Sequence, residues 1–246
     1  GDDFITAGTS FTSTQVWGDL GNDTLVLSAG ATFVSATTVY GDNTSTSGGN
    51  DSISLTTTNN ISASSVVAGI GNDTLVLGAT QFLSNTFQVN GGNDQVTVSG
   101  SLLSTTLYGG AGDDSIGLAA TGGVIFADLG NDLLTGSVDG TTVYGDNASG
   151  GNNDTINFAA TSAFVEAGQG NDSFGGSVAV SSTLYAGQGN DTVAFTTGAT
   201  GSRIFLGQGN DFFSGGAAAF AANTISGGDG NDTIALTATS ASTVLG

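Results

Sequence analysis

Hydrophobic and polar residues alternate in two short stretches that return about every 20 residues along the whole chain. When each copy is numbered from a repeated aspartate as position 0, position +2 is apolar in all twelve copies. Position −7 is apolar in each of the nine copies that have no insertion. Alternation with a period of two is typical of a strand with one buried face. The pattern therefore predicts two inward-facing strands per repeat, one on each side of the aspartate.

The repeated aspartate ends a short segment that has Gly at position −2 in eleven copies and Asn at position −1 in ten. Glycine and asparagine tolerate positive φ, so the segment is predicted to be a tight loop. Successive aspartates are 18 to 28 residues apart. The twelve aspartates are Asp3, Asp23, Asp51, Asp73, Asp94, Asp114, Asp132, Asp154, Asp172, Asp191, Asp211 and Asp232.

Two strands of this length bury their inner faces only when neighbouring repeats stack on one another. We therefore predict an all-β fold, a right-handed parallel β-solenoid of about 12 coils with the acidic loops along one edge, and residues 1–246 as a single repeat array. Two alternatives remain open. Gly-Asn-Asp is also a turn signal in a meander of antiparallel hairpins, and a solenoid can stack asparagines in a ladder without metal.

Two features refine the predicted coil. Position −12 holds a bulky residue in most coils whose aspartate follows the previous one by 20 to 22 residues, and alanine where that distance is 18 or 19. This is expected if wider coils need larger side chains to fill their interior. Ala199, where the distance is 20 residues, breaks the trend. Insertions at Asp42–Gly49 and Asp146–Gly151 lengthen two acidic loops. We expect both to be surface protrusions.

Composition limits the possible partners. The chain has 21 acidic residues against a single Arg203, no lysine and no histidine, giving a net charge of −20. This charge argues against nucleic acid and anionic membranes and favours cations. The chain has no cysteine for disulfides, and no apolar stretch is long enough to span a bilayer. Because methionine and a leader are absent, we expect a mature product or an excerpt.

The stacked carboxylates predict a metal. At the usual strand spacing of ~4.8 Å, neighbouring carboxylates repel by about 1 kcal/mol in water and by more in a less polar medium. Divalent cations remove this repulsion, and carboxylates with peptide carbonyls are ligands that suit Ca²⁺. We therefore predict multiple calcium ions, roughly one per gap between coils, with the twelve aspartates as metal ligands.

The loops resemble the nonapeptide Gly-Gly-x-Gly-x-Asp-x-U-x of the repeats-in-toxin (RTX) calcium-binding family. Gly109–Ile116 and Gly227–Ile234 match the motif fully, and the other loops differ mostly at its first two glycines. The resemblance implies a parallel β-roll with calcium held between adjacent loops by the aspartate and backbone carbonyls, in a secreted bacterial protein. Here the loop returns about every 20 residues instead of every nine, so only one edge is expected to bind ions.

The sequence favours a calcium-stabilised extracellular structural protein that folds on binding Ca²⁺, as part of a bacterial surface layer, matrix fibre or adhesin. Alternatives are an ice-binding or carbohydrate-binding adhesin domain, or a non-catalytic module of a polysaccharide-active enzyme. No acid/base constellation stands out, so we expect no enzyme activity. Outward aromatics occur at position −6, such as Trp17 and Tyr185, and suggest lateral self-association. The two termini resemble the two halves of one acidic loop, which suggests head-to-tail self-association.

Overall fold

A computed structural model describes residues 1–8, 10–29, 34–42, 48–146, 150–176, 179–216, 220–236 and 239–246. These residues form β-strands and turns, with no helix among them. They cluster into two compact units, residues 1–127 and 128–246. In the described part of the chain no helix has the length and apolar character needed to cross a membrane. The single array predicted from the repeat stays a prediction.

The strands follow the repeat closely, with two long strands and one short strand in most coils. They are β1 Phe4–Ala7, β2 Phe11–Thr12, β3 Gln15–Asp19, β4 Thr24–Ala29, β5 Val34–Ser35, β6 Thr38–Asp42, β7 Ser52–Thr57, β8 Asn60–Ser62, β9 Ser65–Ile70, β10 Thr74–Leu83, β11 Thr86–Gly91, β12 Gln95–Leu103, β13 Thr106–Ala111, β14 Ser115–Thr121, β15 Val124–Leu129, β16 Leu133–Asp139, β17 Thr142–Asp146, β18 Thr155–Thr161, β19 Phe164–Gln169, β20 Ser173–Gly176, β21 Ala179–Val180, β22 Thr183–Gln188, β23 Thr192–Phe195, β24 Ala199–Thr200, β25 Arg203–Gln208, β26 Phe212–Gly215, β27 Phe220–Ala221, β28 Thr224–Asp229, β29 Thr233–Leu236, β30 Thr239–Ser240 and β31 Thr243–Leu245.

In the first unit, strands from successive coils pair in parallel. One sheet runs β1, β4, β7, β10, β12, β14. The other runs β3, β6, β9, β11, β13. The short strands β2, β5 and β8 pair in the same sense, and β8 pairs with the end of β10.

The second unit repeats this arrangement. One sheet runs β16, β18, β20, β23, β26, β29, and the other runs β17, β19, β22, β25, β28, β31, all in parallel. The short strands β21, β24, β27 and β30 also pair in order. The predicted parallel β-solenoid is thus confirmed, and the antiparallel meander is wrong because every described pairing is parallel. The right-handed sense of the coils stays a prediction.

The core lies between the two sheets of each unit, as the alternation predicts. Position +2 is at most 2% exposed in ten of its twelve copies, and Ile5 and Ile234 are half-buried. Position −7 is buried in all its copies except the half-buried Val16. Each apolar side chain removed from water contributes about 1.5–3 kcal/mol. Stacking of coils therefore supplies most of the stabilisation.

The exception at Ala199 has a local explanation. In this coil, Phe195 stands at position +4, and its ring lies 6.4 Å from that of Phe220 and 6.2 Å from that of Phe213. Phe220 also fills the space beside Gly215, where a Cβ would meet its ring. Neighbouring positions thus share the volume that one bulky filler occupies elsewhere.

The turn between the two strands of a coil contains a buried polar ladder, which we call the neutral corner. Its residues stand at position −9 or, in the two coils with insertions, at the equivalent place: Thr37, Ser64, Asn85, Thr105, Thr141, Ser182, Ser202 and Asn223. In the first unit the N–H of Ser64 donates to Asn85 Oδ1 at 2.8 Å, and Asn85 Nδ2 donates to Ile61 O at 3.0 Å. Asn223 makes the equivalent bonds in the second unit, with the Ser202 N–H and Ala199 O.

Candidate metal centre

The repeated aspartates lie just before the first strand of each coil, at what we call the acidic corner. They are not on the surface: from Asp23 to Asp211 all ten are 1–2% exposed. Asp3 is exposed and Asp232 is half-buried. Burial of a carboxylate is unfavourable unless hydrogen bonds or cations compensate for the lost water.

One oxygen of most of these carboxylates accepts a hydrogen bond from the neighbouring coil. The backbone N–H of one aspartate donates to Oδ1 of the aspartate in the following coil, which joins the coils of each unit into a ladder. The bonds run from Asp3 to Asp23, Asp23 to Asp51, Asp51 to Asp73, Asp73 to Asp94, Asp94 to Asp114, Asp132 to Asp154, Asp154 to Asp172, Asp172 to Asp191, Asp191 to Asp211 and Asp211 to Asp232, at 2.6 to 3.0 Å.

The other oxygen is buried without a hydrogen bond in most copies. The Oδ2 atoms concerned belong to Asp23, Asp51, Asp73, Asp94, Asp154, Asp172, Asp191 and Asp211. A buried acceptor left unsatisfied costs about 1–3 kcal/mol, and more when it is charged. The only basic side chain, Arg203, is exposed on β25 and cannot neutralise this row.

The backbone offers further oxygens next to these atoms. A Cβ at Gly18, position −5, would lie 2.5 Å from Asp23 Oδ2 and 2.7 Å from Gly41 O of the next coil. The equivalent pair of oxygens, from the aspartate of the same coil and a carbonyl of the next, would lie still closer to a Cβ at Gly41 or Gly145. At these glycines a Cβ would collide with both oxygens, so the backbone lies directly against a carboxylate oxygen and a carbonyl oxygen. Carboxylate and carbonyl oxygens are the ligand types that Ca²⁺ prefers, so the chemistry of these groups fits a calcium ion.

A second glycine column explains the fixed Gly at position −2. Gly189 has φ 131°, and a Cβ there would collide with Gly170 O of the preceding coil. Gly209 and Gly230 stand in the same relation to the coil before them. At these three positions the loops stack too closely to admit a Cβ.

Electrostatics agree with this geometry. Burial raises the pKa of Asp51 and Asp191 from 3.8 to about 6, that of Asp73, Asp154 and Asp172 to about 7, and that of Asp94 to about 8. The N–H bond from the preceding coil opposes this shift, and neighbouring carboxylates add to it. The corner thus resists ionisation unless a positive charge enters.

The asparagines at position −1 form a separate, exposed ladder. The N–H of Asn190 donates to Asn171 Oδ1 at 2.7 Å, and that of Asn210 to Asn190 Oδ1 at 2.8 Å. This ladder runs in the opposite direction to the aspartate ladder. The asparagine ladder of the metal-free alternative therefore exists, but it leaves the aspartate Oδ2 atoms without compensation.

No group of three or more acidic side chains is clustered for metal binding among the described residues. An ion at this corner would accordingly need backbone carbonyls beside the carboxylates. The twelve aspartates therefore stay predicted ligands.

Two buried acids were not predicted from the sequence. Asp42 and Asp146 begin the inserted loops and were expected at the surface, but they are only 4% and 9% exposed. Each ends an inward-facing strand after Val-Tyr-Gly, and Asp42 pairs in register with Asp19 at position −4. That shared Val-Tyr-Gly-Asp sequence is the signal that would have identified them. Residues 43–47 and 147–149, the rest of the predicted protrusions, lie outside the described residues.

The outward aromatics stack along each unit. Trp17 lies on Tyr40 with ring centroids 3.9 Å apart, and Tyr185 lies on Phe205 at 4.7 Å. Tyr108 and Phe126 stack at 5.2 Å. The rings thus stabilise the sheet by contacts between coils.

Comparison with known proteins points to the same chemistry. The family profile described as "RTX calcium-binding nonapeptide repeat (4 copies)" matches residues 15–34, 99–116, 181–200, 196–219 and 220–237. No curated protein sequence matches the chain. A solved structure, the X-ray crystal structure of a hyperactive, Ca²⁺-dependent, beta-helical antifreeze protein from an Antarctic bacterium, is similar with a TM-score of 0.69 and 22% identity over 99% of this chain and 80% of that one. This likeness shows a shared β-helical fold.

Proposed function

Because this chain carries RTX calcium-binding repeats, we propose that it is a calcium-stabilised extracellular structural protein, the repetitive part of a surface layer, matrix fibre or adhesin. The observation that carries the proposal is the row of buried aspartates whose Oδ2 atoms have no hydrogen bond, in a chain with one basic side chain. Calcium held there would neutralise the row, with Oδ2 and the position −5 carbonyls as ligands.

Calcium binding would be coupled to folding. Without the ion, the folded state confines like charges and unsatisfied oxygens, whereas the unfolded chain exposes them to water. Any ion that binds only the folded state stabilises it by mass action. Since calcium is scarce in cytosol and abundant outside cells, the chain would stay loosely folded during synthesis and become rigid after secretion.

Calcium titration tests this proposal. Chelator-treated protein is followed by circular dichroism while Ca²⁺ is added, with Mg²⁺ added to a parallel sample. We expect the β-sheet signal and the midpoint of the cooperative unfolding transition to rise with Ca²⁺ and only weakly with Mg²⁺. A spectrum that is unchanged in excess chelator would contradict calcium-coupled folding.

Self-association through the outward aromatics of β3 in the first unit and β22 in the second would complete the structural role. Trp17 and Tyr185 remain 40% and 37% exposed after stacking within the chain. We expect concentration-dependent assembly of the calcium-loaded protein, measured by sedimentation. Trp17→Ser with Tyr185→Ser should weaken assembly, and Phe4→Ser, which changes an exposed aromatic on β1, in the other sheet, is the control. A loaded protein that stays monomeric at high concentration argues against it.

Ice binding is the second candidate, favoured by the likeness to an antifreeze protein. Short hydroxyl side chains at position +1, including Thr24, Ser52 and Thr74, lie at the start of successive strands on the outward face of the first sheet, where a regular row of hydroxyls could contact ice. Position −3, beside the acidic loop, instead holds large or amide side chains such as Leu20 and Gln188. Thermal hysteresis in the calcium-loaded protein, lost in Thr74→Tyr, would replace the structural proposal with this one.

The proposal includes no catalytic activity. Glu166 and Arg203, the residues outside the repeat pattern, lie on the outer face of the second unit and two coils apart. They form no acid/base pair with a shared cleft. A measurable turnover of acidic polysaccharides would contradict this part of the proposal.

A further inference from the structure

The two coils with insertions each bury two carboxylates. In the first unit these are Asp42 and Asp51, 4% and 2% exposed; in the second they are Asp146 and Asp154, 9% and 1% exposed. The negative charge of Asp42 is close enough to Asp51 to raise its pKa, and Asp146 has the same effect on Asp154. The same doubling of charge thus occurs in both units.

The second carboxylate of each pair has its own unsatisfied oxygen. Asp42 Oδ2 accepts the N–H of Ile70 at 3.2 Å, and Asp146 Oδ2 accepts that of Gln169 at 2.9 Å. Oδ1 of each is buried without a hydrogen bond of normal geometry, although the backbone N–H groups of Gly49 and Asn152 lie near enough to lower the pKa of Asp42 and Asp146 respectively. These atoms are additional to the unsatisfied Oδ2 atoms of Asp51 and Asp154. Each inserted coil therefore needs more positive charge than its neighbours.

Glycines shape the space around each added carboxyl group. A Cβ at Gly69 of the next coil, or at Gly48 of the inserted loop, would collide with Asp42 Oδ2. In the second unit a Cβ at Gly168 would lie 2.9 Å from Asp146 Oδ2, and one at Gly150 would lie 3.3 Å from its Oδ1. The two insertions differ in length but place glycine on both sides of the acid.

We propose that Asp42 and Asp146 are cation ligands additional to the aspartate row, so that each inserted coil binds calcium more tightly than a coil with one buried aspartate. The inference rests on the proposed function. Affinity of oxygen sites for Ca²⁺ rises with the number of charged ligands. At low calcium, each unit would therefore fill and order first at its inserted coil.

The alternative is that these acids are simply protonated. Asparagine has the shape of a protonated aspartate and carries no charge, so it distinguishes the two cases. If Asp42 acts as a neutral acid, Asp42→Asn leaves the affinity for cations unchanged. If Asp42 is a ligand, the same substitution weakens binding while the metal-free protein keeps its stability.

Terbium luminescence offers a local probe in the first unit. Tb³⁺ takes oxygen ligands like Ca²⁺ and emits when a nearby aromatic ring transfers energy to it. Trp17 is the only tryptophan, and it stacks on Tyr40, two residues before Asp42. Emission excited through tryptophan therefore reports ions bound in this part of the first unit, near Asp23, Asp42 and Asp51, and competition with Ca²⁺ gives their affinity.

We expect wild-type protein to show a tight phase of tryptophan-excited emission. Asp42→Asn should weaken that phase by roughly ten-fold or more, since a charged ligand is lost. Asp113→Asn is the matched control: it removes one exposed charge from position −1 of the same unit and restores the asparagine of most coils. It should leave the phase unchanged.

The outcomes separate the two proposals. Equal affinity in Asp42→Asn and wild type would overturn this inference and leave calcium binding by the row intact. If wild-type protein binds neither Tb³⁺ nor Ca²⁺, the proposed function fails as well. Should Asp42→Asn not fold, Asp146→Asn in the second unit is tested by calorimetric calcium titration, where loss of one tight site is expected and an unchanged isotherm contradicts the inference.

Discussion

The two corners of each coil meet the same structural need with different chemistry. Both bury a polar side chain that accepts an N–H from the adjoining coil. At the neutral corner, Asn85 and Asn223 use an oxygen as acceptor and the amide nitrogen as donor. At the acidic corner, one carboxylate oxygen accepts a bond and most of the remaining oxygens are unsatisfied.

This difference shows what the aspartates add. Among the described residues, every buried side-chain oxygen or nitrogen without a hydrogen bond belongs to an aspartate. A ladder alone needs only an amide, as the neutral corner demonstrates. The charge at the acidic corner destabilises the metal-free fold and becomes favourable when a cation is bound. We therefore expect the neutral corner to contribute the same stability with and without calcium, and the contribution of the acidic corner to depend on calcium.

The largest expected effect is a reversal of pH dependence by calcium. The carboxyls with pKa values of about 6 to 8 lie above the ordinary 3.8, so the folded metal-free protein holds more protons than the unfolded chain. The stability of the metal-free protein should be greatest below pH 3.8 and should fall as pH rises from there through the raised pKa values of about 6 to 8. With calcium the ionised form is required, so stability should rise instead. Denaturation at several pH values measures both curves, and parallel curves would contradict the account.

Next in size is the effect of a side chain in the glycine column. Gly189→Ala should cost about 3 kcal/mol or more or prevent folding, because its Cβ would collide with Gly170 O at a positive φ. Ser181→Ala, at a left-handed position of the opposite corner where Ala222 is tolerated, should change stability by less than about 0.5 kcal/mol. Chemical denaturation in calcium measures both variants. Equal effects would show that close stacking is not specific to the acidic loops.

A smaller effect is expected at the neutral corner. Asn85→Ala leaves the Ser64 N–H and Ile61 O without their side-chain partner and should cost about 1–3 kcal/mol. Asn85→Ser, which introduces the residue type found at the equivalent position Ser64, should cost less. Both losses should be equal with and without calcium. A loss that depends on calcium would contradict the division into two independent corners.

The smallest effect should come from making one acidic position neutral. Asp94→Asn can still accept the N–H of Asp73 but carries no charge. We expect the metal-free protein to gain about 1 kcal/mol and the calcium-loaded protein to lose a similar amount. Asp113→Asn, an exposed change of the same charge, should shift neither value. Lower stability of Asp94→Asn in both states would argue that the carboxylate serves only the ladder.

The sequence predicts the solenoid because its strongest signals lie within one coil. Apolar residues at positions +2 and −7 identify the inner face, and the return of the same pattern about every 20 residues indicates parallel stacking. The neutral corner was missed because its hydrogen bonds join different coils, although Thr, Ser or Asn fills position −9 in most copies. The burial of Asp42 and Asp146 was missed for a similar reason, since their environment comes from the next coil.

The most direct test of the central claim is a crystal structure of the protein grown with calcium, with anomalous difference density calculated for the ion. The account predicts peaks along the acidic corner, about 2.3–2.6 Å from the Oδ2 atoms that lack hydrogen bonds, and none at the neutral corner. An ordered acidic corner without such peaks, in a protein that stays folded, would contradict it.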